Sequence, residues 1–177
     1  MWDTGFKALK KFNSTLSIDV YGECGSFELP KPEKQSNYLE SYEKIAKNYK
    51  FYLSFENSLC YEYITEKFFN AMASGMIPIV YGGIGQADYK TIAPPHSYIH
   101  VDDFTNPNDL INTLKTISQN DTLYQSYFWW KSDYELIEKD DLKEKTKCLL
   151  CQILNNSSFK SYNDYAHFTE YWNKCRP

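Results

Sequence analysis

The sequence predicts an α/β fold, a parallel sheet with helices flanking it. Short strands such as "FYLSF" and "IPIVY" are bounded by loops, and helical stretches separate them. That alternation is the mark of βαβ units. The length of 177 residues fits one domain, with or without a tail, and is enough for a sizeable core. Hydrophobic residues at 42% and charged residues at 24% describe a folded chain, not a disordered one.

The opening "MWDTGFKALKKFNSTLSIDVYG" reads as the last turns of a helix, with Phe6, Leu9 and Phe12 at helical spacing, running into a strand at 16–20. A chain that starts partway through a helix is expected to be a fragment, or a gene model that has lost its beginning. A Pro-bearing loop at 29–35 leads to a helix at 37–48, a strand at 51–56, a loop at 57–63 and a helix at 64–74. A strand at 77–81, a glycine turn at 82–85, a short helix at 86–92 and a strand at 98–101 follow. Helices are expected at 107–118, 121–137, 141–154 and 163–173. The rings of Tyr124, Tyr127, Phe128 and Trp130 fall at helical spacing, as for a helix packed on the sheet.

Composition excludes several functions. A net charge of -4 provides no basic footprint for nucleic acid. No apolar run reaches the length of a membrane span, and the opening residues lack the apolar centre of a signal peptide. The chain carries 16 Tyr, 11 Phe and 4 Trp, so many rings must stay partly exposed or line grooves, where Tyr suits sugar or base stacking. There is no G-x-x-x-x-G-K-[ST], and "GIGQAD" has Asp88 where the third glycine of a dinucleotide fingerprint should stand. No D-x-D occurs, and His96, His100 and His167 are scattered, so no metal site is expected.

Five cysteines, Cys24, Cys60, Cys148, Cys151 and Cys175, leave at least one without an intrachain partner. Cys148 and Cys151 form a C-x-x-C with no second pair and no nearby histidine. Cys24 and Cys60 each follow a predicted strand of the same sheet, which would bring both to its carboxyl edge; they are expected to pair. Sequons at Asn13, Asn120, Asn155 and Asn156 are consistent with a secretory route.

The stretch most suggestive of chemistry is the loop after strand 51–56. In open α/β sheets ligands bind beyond the carboxyl ends of the strands, and this strand delivers the chain to that edge at Glu56, where Asn57 begins the loop. A helix starting near Thr65 puts Glu66 and Lys67 in its first turn, where free N–H groups and the dipole favour an anion. A lysine is misplaced there for helix stability. It becomes sensible beneath a diphosphate, and is otherwise a solvated rim residue.

The segment "FYLSFENSLCYEYITEKFFNAMASGMIPIVYGG" (51–83) closely resembles the donor-binding signature of the α1,3-fucosyltransferases, glycosyltransferase family 10. The likeness extends to "IDVYGECG", "APPHSYIHVDDFTNPNDL" and "YFWWK", and so covers most of the chain. It implies a Rossmann-like parallel sheet with flanking helices, the carboxyl-terminal, GDP-fucose-binding half of a two-domain GT-B enzyme. Residues 1–140 would form that domain and 141–177 a helical tail with cysteines. The family's donor-pocket residues fall on Asn57, Tyr63, Glu66 and Lys67; the lysine meets the diphosphate, and the glutamate lies by the ribose and fucose hydroxyls.

The resemblance further implies an inverting, metal-independent transfer of L-fucose from GDP-fucose to a GlcNAc hydroxyl of a glycan, in the Golgi lumen, with no cofactor. The family's amino-terminal domain, its proposed general base, its membrane anchor and an arginine that helps hold the diphosphate have no counterpart here. The chain's only arginine is Arg176. No catalytic base is therefore expected in this chain, and the chain alone is expected to be inactive. Cysteines near the chain end are implied to pair with the amino-terminal half. The alternatives are a non-catalytic nucleotide-sugar or carbohydrate-binding module, or a nucleotide-binding domain of another α/β family.

Overall fold

The computed structural model describes residues 16–23, 25–33, 38–83, 86–137 and 139–155. Strands β1 (Phe51–Phe55), β2 (Ile77–Tyr81) and β3 (Ile99–His100) form a parallel sheet in that order. The register runs from Phe51 opposite Ile77 to Phe55 opposite Tyr81, and then Ile79 opposite Ile99. The central strand is covered on both faces, which is why "IPIVY" is a continuous apolar run without alternation. A proline as the second residue of such a strand needs an explanation. The Ile77 N–H donates to the Lys50 carbonyl beside β1, so the next residue, Pro78, turns its nitrogen away from β1. On that other side the ladder with β3 begins only at Ile79, so no bond is lost.

Helices α1 (Tyr38–Ala46), α2 (Glu66–Ser74), α3 (Gln86–Ile92), α4 (Pro107–Gln119) and α5 (Asp121–Ser126) accompany the sheet, and α6 (Lys139–Asn155) follows with its described side chains exposed. The period of two in β2 meets the period of 3.6 in the helices. Ile77 and Ile79 pack with Leu110, Ile111, Leu114 and Ile117 of α4, while Val80 packs with Phe68 and Met72 of α2 and with Tyr89 of α3. Each fully buried aliphatic side chain contributes about 1.5–3 kcal/mol by leaving water. Helix α4 opens on Asn106, whose side-chain oxygen accepts from the N–H groups of Asn108 and Asp109, with Pro107 in its first turn. No helix among the described residues is long and apolar enough to cross a membrane.

Three expectations need correction. Residues 17–20 form no strand: Leu16 and Ile18 lay their side chains against the core, but the backbone joins only an isolated bridge between Tyr21 and Phe27. The strand expected at 98–101 is two residues long, because the His100 Nδ1 accepts from the Asp102 N–H and starts a 3-10 turn at Val101–Asp103. The helix expected at 121–137 stops at Ser126, and a 3-10 turn follows at Trp129–Ser132. That break lets Tyr127 join the α4 side of the core and Trp130 the α2 side. The helices expected before residue 16 and at 163–173 lie outside the described residues.

Candidate functional site

Strands β1 and β2 end side by side, at Glu56 and at Gly82-Gly83, and the loop 57–65 rises from the first of them. The Glu56 side chain is fully buried. Its Oε1 accepts from the Thr65 N–H at 2.7 Å, and its carboxylate accepts from the Thr65 hydroxyl at 2.8–3.0 Å. Its Oε2 accepts from the Lys67 Nζ at 3.1 Å. Lys67 also donates to the Thr65 Oγ1 at 2.8 Å, closing a three-membered ring of contacts. Its backbone is held as well, since the buried Ser54 of β1 donates to the Lys67 carbonyl at 3.2 Å.

The loop is pinned at further points. Asp88, buried on α3, accepts from the Glu62 N–H at 2.8 Å, and Glu62 itself adopts a positive φ of 53°. The residue that breaks the dinucleotide fingerprint thus anchors the loop. Cys60 is in a disulfide. The glycine pair is demanded by close approach: a Cβ on Gly82 would stand 2.6 Å from the Glu56 Cγ and 2.9 Å from the Tyr89 hydroxyl. Gly83 has φ +61°, and a Cβ there would stand 2.5 Å from an Asp88 carboxylate oxygen.

Helix α2 begins at Glu66 with Thr65 as its N-cap residue, yet Thr65 makes no side-chain cap hydrogen bond. Its hydroxyl is committed to Glu56 and Lys67 instead; in the first turn the Glu66 N–H meets its own carboxylate and the Phe68 N–H donates to the Thr65 carbonyl at 3.3 Å. Glu66 is exposed, 3.6 Å from Lys67. Tyr63 is half-buried and close enough for its phenol to bias Lys67 electrostatically. Asn57 is exposed and makes no side-chain hydrogen bond among the described residues. The Lys67 side chain is 23% exposed, partly covered at the edge of the sheet.

The charges are coupled. Burial pulls the Lys67 pKa down, but hydrogen bonding and attraction to Glu56, with Glu66 and Tyr63 adding to them, raise it on balance. Burial pushes the Glu66 carboxyl up, while its own N–H, Lys67 and Thr65 outweigh that and lower it. Burial, with Glu56 and Asp88 nearby, raises the pKa of the Tyr89 phenol, whose hydroxyl has no hydrogen-bond partner among the described residues. The site can therefore present a held ammonium at a helix start to an anion, with an outer carboxylate beside it for hydroxyls.

Elsewhere, His100 is a buried cap and His96 stacks on Tyr127 with ring centroids 4.0 Å apart. Among the described residues no three His, Cys, Asp or Glu side chains gather as a metal-ligand set. Cys148 and Cys151 are exposed free thiols on α6. Of the sequons, Asn120 is exposed and caps α5 by accepting from the Leu123 N–H, and Asn155 is exposed at the end of α6. Asn13, Asn156 and Cys24, the partner expected for Cys60, lie outside the described residues. Sequence reasoning named Glu56 only as a boundary, and missed Asp88 as an anchor. The available signal was a lone carboxylate closing an apolar strand at the ligand edge.

Known proteins resemble this chain in sequence and in fold. The family model "Glycosyltransferase family 10 (fucosyltransferase) C-term" matches residues 3–170. Alpha-(1,3)-fucosyltransferase C of Drosophila melanogaster is 37% identical over 163 residues, 91% of this chain and 35% of that protein. Glycoprotein 3-alpha-L-fucosyltransferase A of the same organism is 38% identical over 89% of this chain and 30% of its own length. The mouse 4-galactosyl-N-acetylglucosaminide 3-alpha-L-fucosyltransferase 9 is 38% identical over 70% of this chain and 34% of its own length. The chain thus spans about a third of the length of these relatives.

Among solved structures, an α1,3-fucosyltransferase crystallised with GDP-fucose superposes with a TM-score of 0.62 at 24% identity. The superposition covers 90% of this chain and 45% of that one, a likeness of fold. The parallel sheet with flanking helices is the carboxyl-terminal architecture of a GT-B glycosyltransferase. With the signature 51–83 folded into one edge of that sheet, the chain belongs to glycosyltransferase family 10, the fucosyltransferases, and carries its C-terminal domain.

Proposed function

We propose that this chain is the GDP-fucose-binding portion of an α1,3-fucosyltransferase, which transfers L-fucose to a GlcNAc hydroxyl of a glycan with inversion. The observation that carries the reading is Lys67, held in the first turn of α2 by Glu56 and Thr65 at the edge where β1 and β2 end. Lys67 and the start of α2 meet the diphosphate, Glu66 accepts from donor hydroxyls, and Tyr63 and Asn57 line the remainder of the pocket. In the reaction the acceptor hydroxyl loses its proton to a carboxylate base and attacks C1 of fucose from the face opposite GDP. The bond from C1 to the phosphate oxygen breaks as the new C1–O bond forms, and GDP leaves with the electron pair. Lys67 and the helix start stabilise the charge that develops on it.

The base and the acceptor site belong, on this reading, to the amino-terminal region that the relatives have and that lies beyond the match. Residues 1–140 are the nucleotide-sugar domain and 141–177 its helical tail. The relatives' names include both a glycoprotein and a 4-galactosyl-N-acetylglucosaminide acceptor, so the class of acceptor is a glycan and its finer identity is left open. The disulfide at Cys60 and the sequons support an oxidising, lumenal compartment, and the family resemblance points to the Golgi. Calorimetric titration with GDP-fucose, GDP and ADP tests the reading. Binding of GDP-fucose and GDP with little affinity for ADP is expected, and ADP binding as well as GDP would favour a nucleotide-binding domain of another kind.

A further inference from the structure

We propose that Glu56 is a positioning residue for donor binding: a buried carboxylate that aims Lys67 at the diphosphate. This rests on the reading of the site given above. Burying a carboxylate costs several kcal/mol unless its partners repay it, so its presence beneath a helix start calls for a reason. Helix stability does not provide one. Asn106 and Asn120 cap α4 and α5 with neutral amides, and no buried charge is involved. At α2 the capping hydroxyl is instead turned inward to Glu56 and made an acceptor for Lys67.

The consequence falls on Lys67. Two of its three N–H bonds are committed, to the Glu56 Oε2 and the Thr65 Oγ1, and Ser54 holds its backbone carbonyl. Beyond these two bonds Lys67 stands in a looser ion pair with the exposed Glu66 Oε1, at 3.6 Å. A free lysine would have to lose its rotamer freedom on meeting a phosphate, whereas this one has lost it before the ligand arrives. The fold also reserves the space: Gly82 has no side chain where a Cβ would strike the Glu56 Cγ. Glu56 also offsets the lysine's charge, so pure neutralisation and positioning predict opposite effects of removing it.

The test is a cycle of Glu56→Gln, Lys67→Met and the double variant, in a full-length chain that carries the amino-terminal region of its relatives, titrated with GDP. Thermal melting establishes that each variant is folded. Glu56→Gln should weaken GDP by roughly five- to thirty-fold, the factor for freeing one lysine side chain. In the Lys67→Met background the same change should alter affinity less than about twofold, since nothing is left to aim. Thr65→Val should weaken GDP in the same direction and Thr65→Ser should restore it, which reads the same device if Glu56→Gln does not fold. Tighter GDP binding by Glu56→Gln would overturn the proposal in favour of neutralisation. An equal loss with and without Lys67 would overturn it in favour of a loop brace. If Lys67→Met bound GDP as the wild type does, the reading of the site would fail with it; if only Glu56→Gln were silent, Glu56 alone would be rejected.

Discussion

Two helix starts in this molecule are built from similar residues to opposite ends. At α4, Asn106 accepts from the N–H groups two and three residues on, Pro107 occupies the first turn, and Asp109 answers the dipole. At α2, Thr65 turns its hydroxyl away from the helix, and the first turn carries a lysine of the disfavoured sign, tied to a buried glutamate. The first arrangement spends its capping side chain on the helix, and the second spends it on the buried Glu56 and on Lys67 at the carboxyl edge of the sheet.

The difference can be broken from either side. Lys67→Met leaves Glu56 buried without its cation, so denaturant unfolding should show a loss of roughly 3–5 kcal/mol, the range for half of a buried pair. Thr65 still donates to Glu56, which places the expected value at the lower end. Asn106→Ala should cost about 1 kcal/mol in the same assay, and GDP affinity should not change. A change in GDP affinity on losing the α4 cap would show that the two helix starts are not separable.

The pH dependence of the pair has a definite sign. The pKa of Lys67 is raised in the folded state, so its stabilising contribution is fully present below the unfolded value, about 10.4. It is lost as pH rises through the higher folded value. The stability gap between wild type and Lys67→Met should therefore stay constant from neutrality to about pH 10 and narrow above it. Denaturation curves across that range check it, and a gap that closed near neutrality would contradict the pairing with Glu56.

Glu66→Gln should give the least change. Its carboxylate is exposed, so as a dipole partner alone it would contribute about 0.3–1 kcal/mol of stability and leave ligand preference untouched. If it accepts from donor hydroxyls, GDP-fucose should lose more affinity than GDP, because charged acceptors bind hydroxyls more strongly than neutral ones. Parallel titrations of the two ligands measure that ratio.

Much of this contrast was legible in the residues. The strands 51–55 and 77–81, the helix start at Thr65 and the misplaced charge of Lys67 all follow from patterns within a few positions. The segment 16–20 did not, because apolar spacing reports that Leu16 and Ile18 are covered, not that their backbone joins a ladder. Nor could spacing show that the aromatic run 124–130 serves both sides of the core through a 3-10 turn. The role of Glu56 was hidden for a tertiary reason. Its burial depends on Gly82 at the end of another strand, 26 positions along the chain, and on the inward turn of Thr65.

The claim that the start of α2 holds a diphosphate is tested most directly by titrating guanosine and GDP into wild type and Lys67→Ala, in a full-length chain with the relatives' amino-terminal region. GDP should lose roughly ten- to a hundred-fold in affinity, the equivalent of about 1.5–3 kcal/mol for hydrogen bonds to a charged group. Guanosine, which has no phosphates, should bind both proteins alike. Equal losses for the two ligands, or no loss for GDP, would contradict the assignment.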